Sequence, residues 1–214
     1  MLTIVVIAKE CIPGKVKTRL HPPLTLEQAA EIAAASLADT LRLVRSLPAD
    51  RRIVFYAGTT PPPDSDDFEF IAQGDGALDV RLGTIFDAIE GPMMLIGMDT
   101  PHLRRSDFLP VLSEWPADVD AWYGPASDGG WWGLAMREPT GAVLRGVPMS
   151  RDDTGALQLA SLAAAGLRVG FLPELNDIDT IDDAVDVAGI APQTEFARTF
   201  ARLGVDSPTL VAGH

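Results

Sequence analysis

The stretch LTIVVIA at residues 2–8 is short, uncharged and rich in β-branched side chains. Such a run reads as a strand buried on both faces, the kind found inside parallel sheets. A run of the same type returns at PMMLIGM, residues 92–98. Between and after them, helical and extended patterns alternate. Leu26 to Leu47 has Ile32, Ala33, Ser36, Leu37, Leu41 and Val44 at helical spacing, Thr25 with Gln28 as a capping box, and Pro48 as a stop. RRIVFYAG and FEFIAQ read as strands, Leu78 to Glu90 as a helix, and Ser106 to Trp115 as another helix. Val119 to Tyr123 and Trp131 to Met136 read as extended. Thr154 to Ala165 reads as a helix, Arg168 to Leu172 as a strand, and helices start at Asp182 and span Glu195 to Leu203. Strands alternating with helices predict an α/β fold: a three-layer α/β/α sandwich with a mostly parallel central sheet. A length of 214 residues fits one such domain, expected over residues 1–190, with a helical tail over 191–214.

Charge narrows the function. The net charge is −13, yet all three lysines, Lys9, Lys15 and Lys17, fall within nine consecutive positions. Residues 9–19 sum to +3, leaving −16 for the rest of the chain. A protein this acidic lacks the broad positive surface that nucleic acids and anionic membranes require. One basic loop still suffices for a small anionic ligand. The opening apolar run is too short for a signal peptide or a membrane span, so a cytoplasmic protein is expected. Cys11 is the single cysteine, which excludes an internal disulfide. With only three scattered histidines, a zinc site is not expected.

In parallel sheets ligands sit at the carboxyl ends of strands, so the loops there carry the information. The first loop, IPGKVKTRL, turns at Gly14 and offers Lys15, Lys17, Thr18 and Arg19 as cationic and hydroxyl donors suited to polyphosphate. It is not a Walker loop, because Val16 follows Gly14-Lys15. The second, Gly97-Met98-Asp99-Thr100-Pro101, puts an aspartate where a buried strand opens to solvent. In the third, Asn176-Asp177-Ile178-Asp179-Thr180, alternation points Asp177 and Asp179 one way and Ile178 to the core. Two close carboxylates favour a Mg²⁺ or Mn²⁺ ligand pair, while Thr180 and Asp183 cap the following helix. The fourth, Gly124 to Trp132, has a flexible Asp128-Gly129-Gly130 turn followed by Trp131 and Trp132, of which one must face the core.

Taken in order, PGKVKTRL, GMDTPHL, GPASDGGWWG and NDIDTIDDA resemble an uncharacterised bacterial family with the GT-A-like, nucleotide-diphospho-sugar transferase fold, whose members are usually assigned as glycosyltransferases. More distantly, the chain is similar to the guanylyltransferases of deazaflavin-cofactor biosynthesis and of molybdopterin maturation. The resemblance spans about residues 2–188. It implies magnesium held by Asp99, Asp177 and Asp179. It also implies nucleotide phosphates held at Ala8, Lys9, Gly14, Lys15, Lys17, Thr18 and Arg19, with Arg81 in reach of a phosphate or carboxylate. Lys15, Lys17 and Asp99 become the catalytic candidates, and Asp128, Gly129, Trp132 and Arg151, with the loop near Gln73, the acceptor side. Two departures stand out. Asp179-Thr180-Ile181 replaces Asp-Thr-Pro, and the run from Gln73 to Arg81 has Ala77 and Asp79 where the relatives carry an acid and a glycine.

Three functions fit these residues. A nucleotidyltransferase would join a nucleoside monophosphate to a small anionic acceptor and release pyrophosphate, with Mg²⁺ or Mn²⁺ and the basic loop offsetting charge. A glycosyltransferase would use a nucleotide-sugar and a base for the acceptor hydroxyl. A non-catalytic nucleotide-binding module would need no chemistry, but all three candidate metal ligands are intact.

Overall fold

The structure, a computed structural model, describes residues 1–204; the last ten residues of the expected C-terminal tail lie outside the described residues. A seven-stranded sheet runs in the order β3-β2-β1-β4-β6-β5-β7. Its strands are β1 (Thr3–Lys9), β2 (Arg51–Ala57), β3 (Glu69–Ala72), β4 (Met93–Ile96), β5 (Ala121–Pro125), β6 (Trp131–Met136) and β7 (Val169–Phe171). All neighbours pair in parallel except at β6, which is antiparallel to β4 and β5. The helices are α1 (Leu26–Ser46), α2 (Leu78–Ala88), α3 (Leu109–Leu112), α4 (Thr154–Ala164), α5 (Ile181–Ile190) and α6 (Glu195–Arg202). This is the expected α/β sandwich.

Strand alternation builds both layers. Ile4, Val6 and Ala8 of β1 enter the core under α1, beside Ala33, Leu37 and Leu41. Val5 faces the opposite core with Leu82, Ile85 and Phe86 of α2, and Ile7 packs against its edge. A third cluster joins a second stripe of α1, including Ala29, Ile32 and Ala35, to α5 and α6. The helix is therefore buried on two sides, which explains its high alanine content. Its Thr25–Gln28 capping box forms as the sequence predicts. The helix expected over Ser106 to Trp115 differs. It is a short 3₁₀ segment, Arg105–Phe108, followed by the single turn α3, in which Pro110 sits in the first turn. Proline has no N–H and fits only at a helix start, so one long helix through it is disfavoured.

Asp39 is a poor helix former in the middle of α1, and the reason lies across the interface. Its carboxylate is buried, accepts from the backbone N–H groups of Glu195 and Phe196 at the start of α6, and pairs with Arg42 at 2.7 Å. A carboxylate capping a helix N-terminus contributes about 0.5–2 kcal/mol. Asp39→Ala is expected to lower stability by about 2 kcal/mol in urea unfolding. No change would show that this cap contributes nothing to stability.

Candidate functional site

The carboxyl ends of β1 and β4 open into a cleft of about 780 Å³. The basic loop forms one lip. Gly14 turns at a φ of +77°, Val16 drops into the core, and Lys17 takes a left-handed φ of 46°, uncommon for a residue with a side chain. That conformation aims Lys17 inward. Its side chain is 8% exposed, with Nζ 3.1 Å from an oxygen of Asp99 and 3.0 Å from one of Asp179. Burial alone would depress its pKa, but the two carboxylates outweigh it and hold the ammonium above its usual range. Arg19 reaches the other oxygen of Asp179 at 3.0 Å from an exposed position.

Backbone bonds draw the acidic side together. Ser127 N–H donates to the Leu175 carbonyl, Leu175 N–H to Pro125, and the Ser127 hydroxyl to Asn176. Ile178 is 1% exposed, and its N–H donates to the Asp99 carbonyl. Thr180 and Asp183 form the expected capping box of α5. As a result, Asp128, Asp177 and Asp179 each present an oxygen within 4.8 Å of the others. The Oδ1 atom of Asp177 is buried without a hydrogen-bond partner. Its burial, aided by the charges of Asp128 and Asp179, pushes the Asp177 carboxyl up to about 6. An orphaned buried oxygen in a three-carboxylate group fits a hard divalent cation, which takes oxygen ligands.

This set differs from the one inferred from sequence. Asp128, assigned there to the acceptor side, joins the carboxylate group, while Asp99 lies outside that group and shares Lys17 with Asp179. Asp128 was hidden because Asp-Gly-Gly is an ordinary turn signal and its partners lie about fifty residues away. Lys9, Thr18, Arg19, Trp132 and Arg151 line the cleft with Lys17 and Asp99. Ala8, Gly14, Lys15, Arg81 and Gly129 do not. Lys15 is exposed on the outer side of its turn. The Ala8 carbonyl accepts from the Gln73 side chain, whose oxygen in turn accepts from Arg81. The Gln73–Arg81 run thus staples strand ends together. Gly129 lies behind the wall, with its carbonyl bonded to Gly155 N–H at 2.8 Å.

Trp132 is 3% exposed, with its indole N–H on the Pro173 carbonyl and its ring edge-on to Phe108. Trp131 is the less buried of the pair. Simple alternation would put Trp132 on the face of Leu134 and Met136, but a register shift between Gly124 and Pro125 turns it to the other side. Such bulges re-aim side chains near functional clefts. Burial, then the charge of Asp99, pushes the Cys11 thiol up to about 11, which disfavours the reactive thiolate.

Among the described residues, no helix is long and apolar enough to cross a membrane. A sequence comparison with curated proteins finds no match. Among solved structures, a protein from Desulfovibrio desulfuricans G20 assigned as a nucleotide-diphospho-sugar transferase is similar, with a TM-score of 0.77 and 25% identity over 94% of this chain and 93% of that one. A nucleotidyl transferase from Methanothermobacter shares the fold at a TM-score of 0.59 and 15% identity, over 93% of this chain and 99% of that one. CMP:2-keto-3-deoxy-manno-octonic acid synthetase, in complex with CTP, does so at 0.56 and 12%, over 90% and 98%. The fold is therefore that of the nucleotide-diphospho-sugar transferases. Through residues 40–151 the chain belongs to the family described as "Uncharacterized protein conserved in bacteria (DUF2064)".

Proposed function

We propose that this protein is a divalent-metal-dependent nucleotidyltransferase that joins a nucleoside monophosphate, taken from a triphosphate, to a small anionic acceptor. The charge balance of the cleft carries this reading. Six aspartates line it (Asp99, Asp128, Asp152, Asp177, Asp179 and Asp183) against four cations (Lys9, Lys17, Arg19 and Arg151). A polyphosphate entering alone would meet a net negative surface, so it is favoured only when a divalent cation enters with it. Asp128, Asp177 and Asp179 would hold that ion, Mg²⁺ or Mn²⁺, and once bound it supplies charge neutralisation to phosphate oxygens.

The chain's own residues do the rest. Lys17 is kept charged and fixed by Asp99 and Asp179, so its ammonium costs little reorganisation when it meets phosphate oxygens. Arg19 and Lys9 add charge to the pyrophosphate side. An acceptor oxygen, already anionic, attacks the α-phosphorus. The bond to the bridging oxygen breaks and its electron pair leaves on pyrophosphate. No protein base is needed, and positioning with charge stabilisation lowers the barrier.

Glycosyl transfer from a nucleotide-sugar is the second reading. The similarity to the Desulfovibrio protein favours it, as does the commitment of Lys17 and Arg19 to aspartates, which leaves less free charge for a triphosphate. Thermal unfolding with Mg²⁺ separates the two readings, using the four nucleoside triphosphates against UDP-, GDP- and dTDP-sugars. A ligand at ~100 times its Kd adds about 2.7 kcal/mol, or roughly 5–10 °C for a chain of this size. The expected result is stabilisation by a triphosphate that EDTA abolishes. Stabilisation by a nucleotide-sugar alone would favour glycosyl transfer, and stabilisation indifferent to EDTA would remove the metal.

A further inference from the structure

The cleft has a second wall of different character. Ile7 of β1, Leu78 and Leu82 of α2, Leu95 of β4, Trp131 of β6 and Met149 in the loop before α4 all line it. All six belong to, or pack against, the core on the α2 face of the sheet. Leu82 and Leu95 are 3% and 1% exposed and form the floor, whereas Ile7, Leu78, Trp131 and Met149 are only half-buried. Trp131 is among them because of the bulge that sends Trp132 to the opposite core.

Building on the transferase reading, we infer that the acceptor carries an apolar body of about ring size, which lies against this wall while its reactive oxygen points to Lys17 and the aspartates. The six side chains offer a single polar group, the indole N–H of Trp131. A sugar ring placed here would leave hydroxyls without partners, at about 1–3 kcal/mol each. A nucleobase would likewise lose the edge contacts by which bases are selected. An apolar body loses nothing and removes partly wet apolar surface from water, worth about 25 cal/mol per Å². The loop that supplies Met149 also supplies Arg151, which lines the cleft while paired to Asp153 at 2.8 Å, so an acceptor anion here would share its guanidinium with that carboxylate.

The probe is 8-anilinonaphthalene-1-sulfonate, which combines an aromatic body with one anionic group. It is titrated into the folded protein with Mg²⁺, with and without a saturating nucleoside triphosphate. Energy transfer from tryptophan to the probe reports binding. The expected result is one saturable site, weakened tenfold or more in both Leu78→Glu and Met149→Glu and retained when the triphosphate is bound. Thermal unfolding of each variant confirms that it is folded, and Met149, half-buried in a loop, gives a second reading if Leu78→Glu is not. Displacement of the probe by the triphosphate would assign the wall to the nucleobase and overturn the inference. So would the absence of saturable binding, or unchanged affinity in the folded variants. If no nucleotide stabilises the wild-type protein, the transferase reading falls and the acceptor assignment with it; loss of the probe site alone removes only the assignment.

Discussion

Asp177→Asn is expected to lower divalent-dependent nucleotide affinity or turnover by 100-fold or more, and at the same time to stabilise the metal-free protein above about pH 6. Both effects follow from one atom. Oδ1 of Asp177 is buried without a partner, and the carboxylate faces those of Asp128 and Asp179. Burial first, then those two charges, raise its pKa to about 6 from 3.8. The native state therefore holds the proton more tightly than the unfolded chain does. Its contribution to stability is complete below about pH 4 and is lost as the pH rises through 6. Asparagine keeps the shape without the charge, so the variant escapes that loss. With part of the carboxylate still reached by solvent, the gain is about 1–2 kcal/mol at pH 8 and vanishes near pH 4. Unfolding in EDTA at the two pH values checks the stability arm, and Mg²⁺-dependent nucleotide titration checks the other. Unchanged Mg²⁺ dependence would make the cluster structural. A variant less stable than the wild type at pH 8 would show that the charge is compensated within the fold.

The second large effect is expected at Gly129. Its φ is +87°, and a Cβ there would collide with the carbonyl oxygen of Asp152. The contact is backbone on backbone, so no flexible side chain can give way. Nearby, Gly155 donates to the Gly129 carbonyl at 2.8 Å, and a Cβ on Gly155 would meet that same oxygen at 2.8 Å. The turn after β5 and the segment leading into α4 are thus pressed together, which fixes Met149, Arg151 and Asp152 along the cleft. Gly129→Ala is expected to cost more than about 3 kcal/mol, a fall in Tm of roughly 6–12 °C. Gly146→Ala is the control. Its φ is +84°, but nothing lies within 4 Å of a Cβ there, so only the left-handed conformation is penalised, at about 1 kcal/mol. Equal losses at the two sites would mean that φ, and not the close approach, sets the cost at Gly129.

The sequence by itself determined what depends on neighbours along the chain. β-branched runs such as TIVVIA become strands, the Thr25–Gln28 and Thr180–Asp183 pairs cap their helices, and Ile178 anchors the core between two aspartates, because alternation, helical period and capping act over a few residues. The ordered motifs also carried the fold type. Tertiary structure alone decided what depends on partners far apart in sequence. Lys17 is buried between Asp99 and Asp179, more than 80 and 160 residues away, so a loop that reads as a free cationic cradle has two of its four cations, Lys17 and Arg19, paired to aspartates. Asp128 meets Asp177 because backbone bonds zip residues 125–127 to Leu175 and the Ser127 hydroxyl donates to Asn176. A bulge opposite β5 sends the two tryptophans to opposite cores, although both line the cleft. Charge pairing and strand register act through space, and neither leaves a periodic trace in the chain.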